Sequence, residues 1–436
     1  MNWLFQYRVR LYVRNSLWIL PAISIVVALV GARALIALEL AMGWRGTVSP
    51  DTARLIMSTV AGSTFTLVVL VSSAMLLAVQ LASAQLTPRI IALIYRSPYG
   101  KLAFAVFVFT FTFAVATLIR IEQTVPLIAS YIAGYGFLIS LALFILFTDT
   151  MGKMLRPSSA LRRVGLEGRE VIKDVYPSLL ITESKTPESL KTLRTTQPRI
   201  VPSTQDGAVL AFDMPGLIRR AEQFGCVIEM VPQVGDFIAE GDPVFRVYGG
   251  GERLSDRDLR NSIAIGHERT LEQDPMFAFR ILVDIASKAL SPAINDPTTA
   301  VLAIDQIHHL LRGVGKRHLA DGHEEDAAGQ LRLVYRTPDW EDFVQLGMTE
   351  IRQYGRDSIQ VQRRLQAMVE DLLETLPAER HPILLRKLAL LDTSRKRAFP
   401  DVDDQVLAEA GDLQGIGGSD DELYEGDQPA LTRRAS

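Results

Sequence analysis

Residues Met57–Leu81 read MSTVAGSTFTLVVLVSSAMLLAVQL, and the fold turns on how this stretch is read. It is apolar enough for a bilayer, yet Thr59, Ser63, Thr66, Ser73 and Gln80 recur at steps of four, three, seven and seven. Thr87 stands one heptad further on. On a helix such steps return to nearly the same face. The stretch is therefore a membrane helix with a polar stripe. Inside a bilayer that stripe calls for another helix or for water.

Three further segments are long enough to cross the hydrocarbon core, which takes about 20 apolar residues. They are Trp18–Leu38, Leu102–Ile121 and Pro126–Phe147. The link around Glu122–Val125 is short enough to make the last two an antiparallel hairpin. The first apolar run is too long for a secretory signal, lacks a small-residue cleavage site and is followed by more spans. Five phenylalanines in Leu102–Ile121 (104, 107, 109, 111 and 113) suit that span to lipid.

Lys and Arg in the short flanks orient the spans. Arg8, Arg10 and Arg14, then Arg89, Arg96 and Lys101, then Lys153, Arg156, Arg162 and Arg163 all fall on one side. This predicts that both termini and the large C-terminal part are cytoplasmic. Arg33, Glu39, Arg120 and Glu122 fall near the opposite ends of the spans. They read either as side chains reaching the interface or as a charged ring at a pore mouth.

The chain has 436 residues, 48% of them hydrophobic and 22% charged, and a net charge of −3. Nothing basic argues for nucleic acid. The lone cysteine, Cys226, excludes an internal disulfide and a multi-cysteine zinc site, and reads as a small buried hydrophobe.

Five regions follow: a four-helix membrane domain (1–155), a membrane-proximal helix and linker (156–199), a small β domain (200–250), a cytoplasmic α-helical bundle (251–398) and an acidic, disordered tail (399–436). In the β domain, strands are expected near 208–212, 227–231 and 244–248, with a short helix from Pro215. The run Val234–Val244 (VGDFIAEGDPV) is similar to the half-repeat of barrel-sandwich folds, without the lysine that carries a cofactor. Gly249–Gly251 reads as a hinge. In the helical region Asp274-Pro275 and Asp296-Pro297 each pair an N-cap acid with proline at the first helical position. Later helices are expected over 338–354, 358–376 and 378–391.

Polar residues gather in two motifs, ERTLEQDP (Glu268–Pro275) and ALSPAINDPTTA (Ala289–Ala300). With QLASAQLTPR (Gln80–Arg89) and Val201-Pro-Ser-Thr, they make the chain resemble the bacterial family designated domain of unknown function 2254, up to about residue 390. The resemblance implies a multi-pass membrane protein with a cytoplasmic domain and carries no established reaction. Ser291, Asn295, Asp296, Thr298 and Thr299 surround a helix start, where free amides suit an anion or a partner group. Glu268, Arg269, Glu272 and Asp274 are candidates to pair with that turn. The alternative is a purely structural polar network.

His308, His309, His318 and His323 match no standard zinc spacing, and His318 and His323 read as a solvated loop. Signatures for nucleotide binding, nucleophilic hydrolysis and zinc proteolysis are absent. No cofactor or metal is expected, and the chain does not read as an enzyme. Four helices cannot enclose a wide channel, so a polar path requires a homo-oligomer. The expectation is a channel-like oligomer passing an ion or small solute along the stripe, gated by the cytoplasmic domain. Its rival is a non-conducting receptor or scaffold with its site at Ser291–Thr299. A weaker third reading is a membrane enzyme using Glu268 and Asp296.

Overall fold

The computed structural model describes residues 3–44, 48–91, 96, 98–122, 125–180 and 197–417. Most of the linker read at 182–198 and the end of the tail fall outside these residues. Two compact units emerge: residues Val9–Ala160, and the remainder from Leu161 on together with Met1–Arg8.

The first unit takes the latter part of helix α1 (Trp3–Asn15), followed by four helices long and apolar enough to cross a membrane. These are α2 (Ile19–Met42), α3 (Pro50–Gln85), α4 (Pro98–Leu118) and α5 (Leu127–Met154). Ser49 caps α3 by accepting from the Thr52 amide, with Pro50 at the first helical position. Small residues make the seams: Ala28 and Ala32 on α2, Ala53 and Ala61 on α3, Ala129 and Ala133 on α5.

Span α4 corrects the expectation that it faces lipid. It packs against α2, α3 and α5 and is the most buried of the four. Phe107 and Phe113 are fully enclosed, and Phe104, Phe109 and Phe111 are partly so. Large rings pack with the alanines of neighbouring helices, where small residues leave room for them. Gly136 lets α5 approach Thr110, whose side chain also receives a hydrogen bond from Ser140 at 3.3 Å.

In the second unit, α6 (Pro157–Val175) sets Gly165 against Gln306 and Gly168 against Ala278 and Leu310. The strands are β1 (Arg199–Pro202), β2 (Gly207–Phe212), β3 (Cys226–Met230), β4 (Phe237–Ile238), β5 (Pro243–Gly249), β6 (Ile263–Gly266), β7 (His323–Glu325) and β8 (Leu331–Tyr335). Helix α7 (Met214–Phe224), capped by Asp213, lies between β2 and β3. One sheet has the order β1-β5-β3-β8-β7, with β3 and β8 parallel, and a second has β4-β2-β6. They share a core of Val201, Val209, Leu217, Ile228, Phe245 and Leu333.

The β part is therefore wider than residues 200–250. Strands β6, β7 and β8 come from the stretch read as helical. Gly249 ends β5 paired with Cys226, and Gly251 is buried against Val247 and Cys226, so the run expected to be a hinge is fixed at both ends. Cys226 is itself buried and free, and burial pushes its thiol up.

The short helix α8 (Asp256–Arg260) joins the sheet core through Leu259. The bundle comprises α9 (Pro275–Ala289), α10 (Pro297–Gly315), α11 (Trp340–Tyr354), α12 (Ile359–Thr375), α13 (His381–Ala398) and α14 (Val402–Glu409). Helix α9 packs on α10 and α11, and α12 packs on α10, α13 and α14. Arg280 of α9 grips Glu350 of α11 in a two-pronged pair at 2.5 and 2.7 Å. Helix α14 falls within the tail expected to be disordered. Beyond it Asp412, buried, accepts from the amides of Gln414, Gly415 and Gly417 and orders that turn. Residues 418–436 lie outside the described residues.

Candidate functional site

The stripe on α3 comes first. Ala53, Met57, Val60, Ala61, Thr64, Val71, Met75, Ala78 and Ala82 are the residues α3 buries. Thr59, Thr66, Ser73 and Gln80 are exposed and Ser63 is half-buried. At 3.6 residues per turn the stripe is centred roughly 150° round the helix from the packed seam. The protomer's own helices therefore leave the stripe uncovered. Thr87 does not continue it, for it lies past the end of α3 and is buried.

The hydroxyls are only partly in need of partners. Thr59 donates to the Leu55 carbonyl at 2.8 Å and Thr66 to the Gly62 carbonyl at 3.0 Å. Threonine can back-bond to the preceding turn in this way. Gln80 lies near the end of a 36-residue helix. At 1.5 Å per residue that helix is about 54 Å long, well beyond a hydrocarbon core of about 30 Å.

Glu39 gives a second polar feature of the membrane unit, which sequence reasoning placed at an interface or a pore mouth. It is buried, and its Oε1 accepts from the Ala129 amide at 2.8 Å. Helix α5 has Pro126 at its N-cap and no side-chain cap of its own. Glu39 supplies that cap from α2, where a carboxylate also suits the helix dipole. Arg54 likewise reaches the Ile121 carbonyl through Nε and Nη2, at 3.2 and 2.9 Å.

The two polar motifs of the second unit do not meet. They flank opposite ends of α9, whose 15 residues span roughly 22 Å. Glu268, Arg269 and Asp274 therefore do not pair with the Ser291–Thr299 turn. Asp274 is buried and caps α9 by accepting from the Phe277 amide at 3.0 Å. Its other oxygen takes Arg269 Nε and Nη2 at 2.9 and 2.6 Å. Burial raises its carboxyl pKa, and the Arg269 guanidinium opposes that rise. Arg269 in turn lies over the Phe277 ring and fills the space a side chain at Gly235 would take. Gly235 has φ +92°, which only glycine adopts freely. Gln273 exchanges hydrogen bonds with the Phe212 backbone, its Oε1 accepting from the amide at 3.0 Å. The motif thus joins β2 and the Gly235 turn to α9. Glu268 is exposed.

The second motif forms the turn from α9 into α10. Asp296 accepts from the Thr299 amide at 3.0 Å and from its hydroxyl at 2.5 Å. The helix start is thus already filled by a carboxylate, which competes with any anion. Ser291 donates to the Lys288 carbonyl at 2.6 Å. Asn295 is exposed at φ +49°, and it is the non-glycine residue in the left-handed region among those described. Thr298 is exposed as well.

A third cluster centres on His308, which the sequence raises only as a metal-ligand candidate. His308 of α10 shares Nε2 with Asp371 of α12 at 2.7 Å, and its Nδ1 meets Arg364 Nη2 at 3.2 Å. Arg364 also donates to Asp305 at 2.6 Å. An arginine can only donate, so Nδ1 accepts and the proton sits on Nε2, facing Asp371. Burial, reinforced by Arg364 against the pull of Asp371, holds His308 below the ordinary histidine value. Among the described residues no group of three or more His, Cys, Asp or Glu side chains is arranged to hold a metal.

Comparison with known proteins matches this architecture. Proteins from Mycobacterium bovis and from two strains of Mycobacterium tuberculosis, each named only as uncharacterized, are 24% identical over 417 residues. The match covers 91% of this chain and 79% of each of theirs. No solved structure matches the chain. Residues 14–371, from the last turn of α1 into α12, match the family described as "Predicted membrane protein (DUF2254)". The chain is a multi-pass bacterial membrane protein and belongs to that family.

Proposed function

We propose that the protein is a homo-oligomeric, channel-like membrane protein in which α3 of each copy turns its stripe towards a shared axis. The observation that carries this is the position of Thr59, Ser63, Thr66, Ser73 and Gln80 on the face of α3 that its own protomer leaves uncovered. Exposed to lipid, Ser73 and the Gln80 amide gain nothing. Against a wet axis both find partners. The path would take an ion or small polar solute, with Leu70 and Leu77, also exposed, as apolar constrictions. The basic flanks favour an orientation with both termini and the second unit in the cytoplasm, where that unit would sense and gate.

The test is flux. Purified protein in liposomes or planar bilayers is expected to conduct, and Ser73→Leu with Gln80→Leu is expected to abolish conduction while leaving the oligomer assembled. A correctly assembled oligomer that is electrically silent would end this reading.

A second reading is favoured by Asn295. A strained, exposed residue beside exposed Thr298 suits a contact surface. On that reading the protein is a receptor or scaffold that binds a ligand or partner at Ser291–Thr299. Its stripe is then a seam between copies, and the Leu substitutions change assembly and leave no flux to lose.

A further inference from the structure

The junction of α1 and α2 forms an open recess of about 370 Å³ lined by Tyr12, Asn15, Ser16, Leu17 and Trp18. Its walls are mainly apolar, with Asn15 and Ser16 as the polar members. Trp18 Nε1 donates to the Tyr12 hydroxyl at 3.2 Å, and the two rings meet edge to face with centroids 6.4 Å apart. The Ser16 hydroxyl is enclosed and has no hydrogen-bond partner.

Cations hold the backbone of this cavity in place. Lys101 Nζ donates to the carbonyls of Arg14 at 2.6 Å and Val13 at 3.4 Å. Arg96 Nε donates to Asn15 Oδ1 at 2.8 Å. The charges of Arg96 and Arg14 both act on the Lys101 ammonium. An ammonium has three protons, and two of these go to neutral carbonyls, so its charge is not neutralised there.

The cavity sits where the first span begins, at the end of the membrane unit richest in Lys and Arg. In the helix alternation this end carries Arg10, Arg14, Arg89, Arg96, Lys101, Lys153 and Arg156. Asp149 is its acid, and that residue pairs with Lys153. Tyr and Trp mark the headgroup level in membrane proteins. A mainly apolar recess at that level, with Arg96 bonded to its wall residue Asn15 and Lys101 to the backbone just before it, suits the two chemistries of one molecule: a hydrocarbon chain and a phosphate.

We infer that the Tyr12–Trp18 cavity is a binding site for an anionic glycerophospholipid. Its acyl chain enters between Tyr12, Leu17 and Trp18, and its phosphate meets Lys101 and Arg96, with the Ser16 hydroxyl available to donate. Basic pockets between membrane helices bind anionic headgroups by the same charge complementarity.

Native mass spectrometry of the full-length protein in detergent tests this, with an equimolar mixture of dioleoyl phosphatidylglycerol and dioleoyl phosphatidylcholine. The expected result is retention of phosphatidylglycerol several-fold above phosphatidylcholine. Lys101→Gln with Arg96→Gln should erase that preference. Ser16→Leu keeps both cations and fills the recess, and it should lower phosphatidylglycerol retention by a similar factor. A thermal melt of each variant in detergent identifies any that fails to fold, and the other variant then decides. Equal retention of the two lipids by the wild type overturns the site. So does undiminished preference in a folded variant, or displacement of the bound lipid by millimolar inorganic phosphate.

Discussion

At the scale of single residues, Lys387 stands out. It is buried on α13, and its ammonium donates to Gln345 at 2.8 Å and Thr349 at 2.9 Å, both neutral. Among the described residues no carboxylate is paired with it. Burial, with Arg352 and Arg386 adding repulsion, lowers its pKa from 10.5 to about 8. The folded value lies below the unfolded one, so the unfolded chain holds this proton more tightly. The site therefore costs stability in full below pH 8, and the cost shrinks as pH climbs towards 10.5. Lys387→Met keeps the packing volume, and Gln345 and Thr349 still bond each other at 3.2 Å. At pH 7 the variant should gain on the order of 1–2 kcal/mol in denaturant unfolding. That gain should narrow steadily by pH 10.

At the scale of elements, α10 and α12 are joined by the His308–Asp371 and Arg364–Asp305 bonds. The folded His308 sits below its ordinary value of 6.5, so the unfolded chain takes up more protons as pH falls through 6.5. Stability from this pair is complete above that pH and declines below it. Burial would raise the Asp371 carboxyl, but His308 and Arg312 outweigh it and leave it below 3.8, so its own loss comes only in stronger acid. Denaturant midpoints followed from pH 7.5 to 5 should fall in the wild type. His308→Gln, which can still donate to Asp371, should flatten that slope.

Elements were also where the sequence was most readable. Asp274-Pro275 and Asp296-Pro297 open α9 and α10 at the residues their chemistry named, because a cap and a proline act within one turn. Ser358 likewise caps α12. Strands β7 and β8 escape sequence reading because three and five residues make no periodic signal, and the pairing of β8 with β3 crosses about a hundred residues. The phenylalanines of α4 were assigned to lipid because hydropathy cannot tell a ring against alanine from a ring against an acyl chain. The stripe of α3 was legible as a pattern, and its uncovered position became visible only once the seam of α3 was known. The partners of Arg269 and His308 lie on other turns and helices, and no spacing announces them.

At the scale of the whole molecule, the part from Pro157 to Gly417 has its own sheet core and its own helical core. Expressed without the spans, this part should stay soluble and melt in a cooperative transition followed by circular dichroism. A fragment that aggregates or melts without a transition would show that its cores are incomplete alone.

The Glu39–Ala129 bond joins the first span to the fourth, 90 residues later in the chain. Synthesis delivers the carboxylate early and its amide late. Through the emergence of the second and third spans, the bilayer must hold an acid whose destined donor has not yet left the ribosome. Closure of this cap thus waits on the final helix: only when Leu127 and the residues after it insert does the opening span meet its donor.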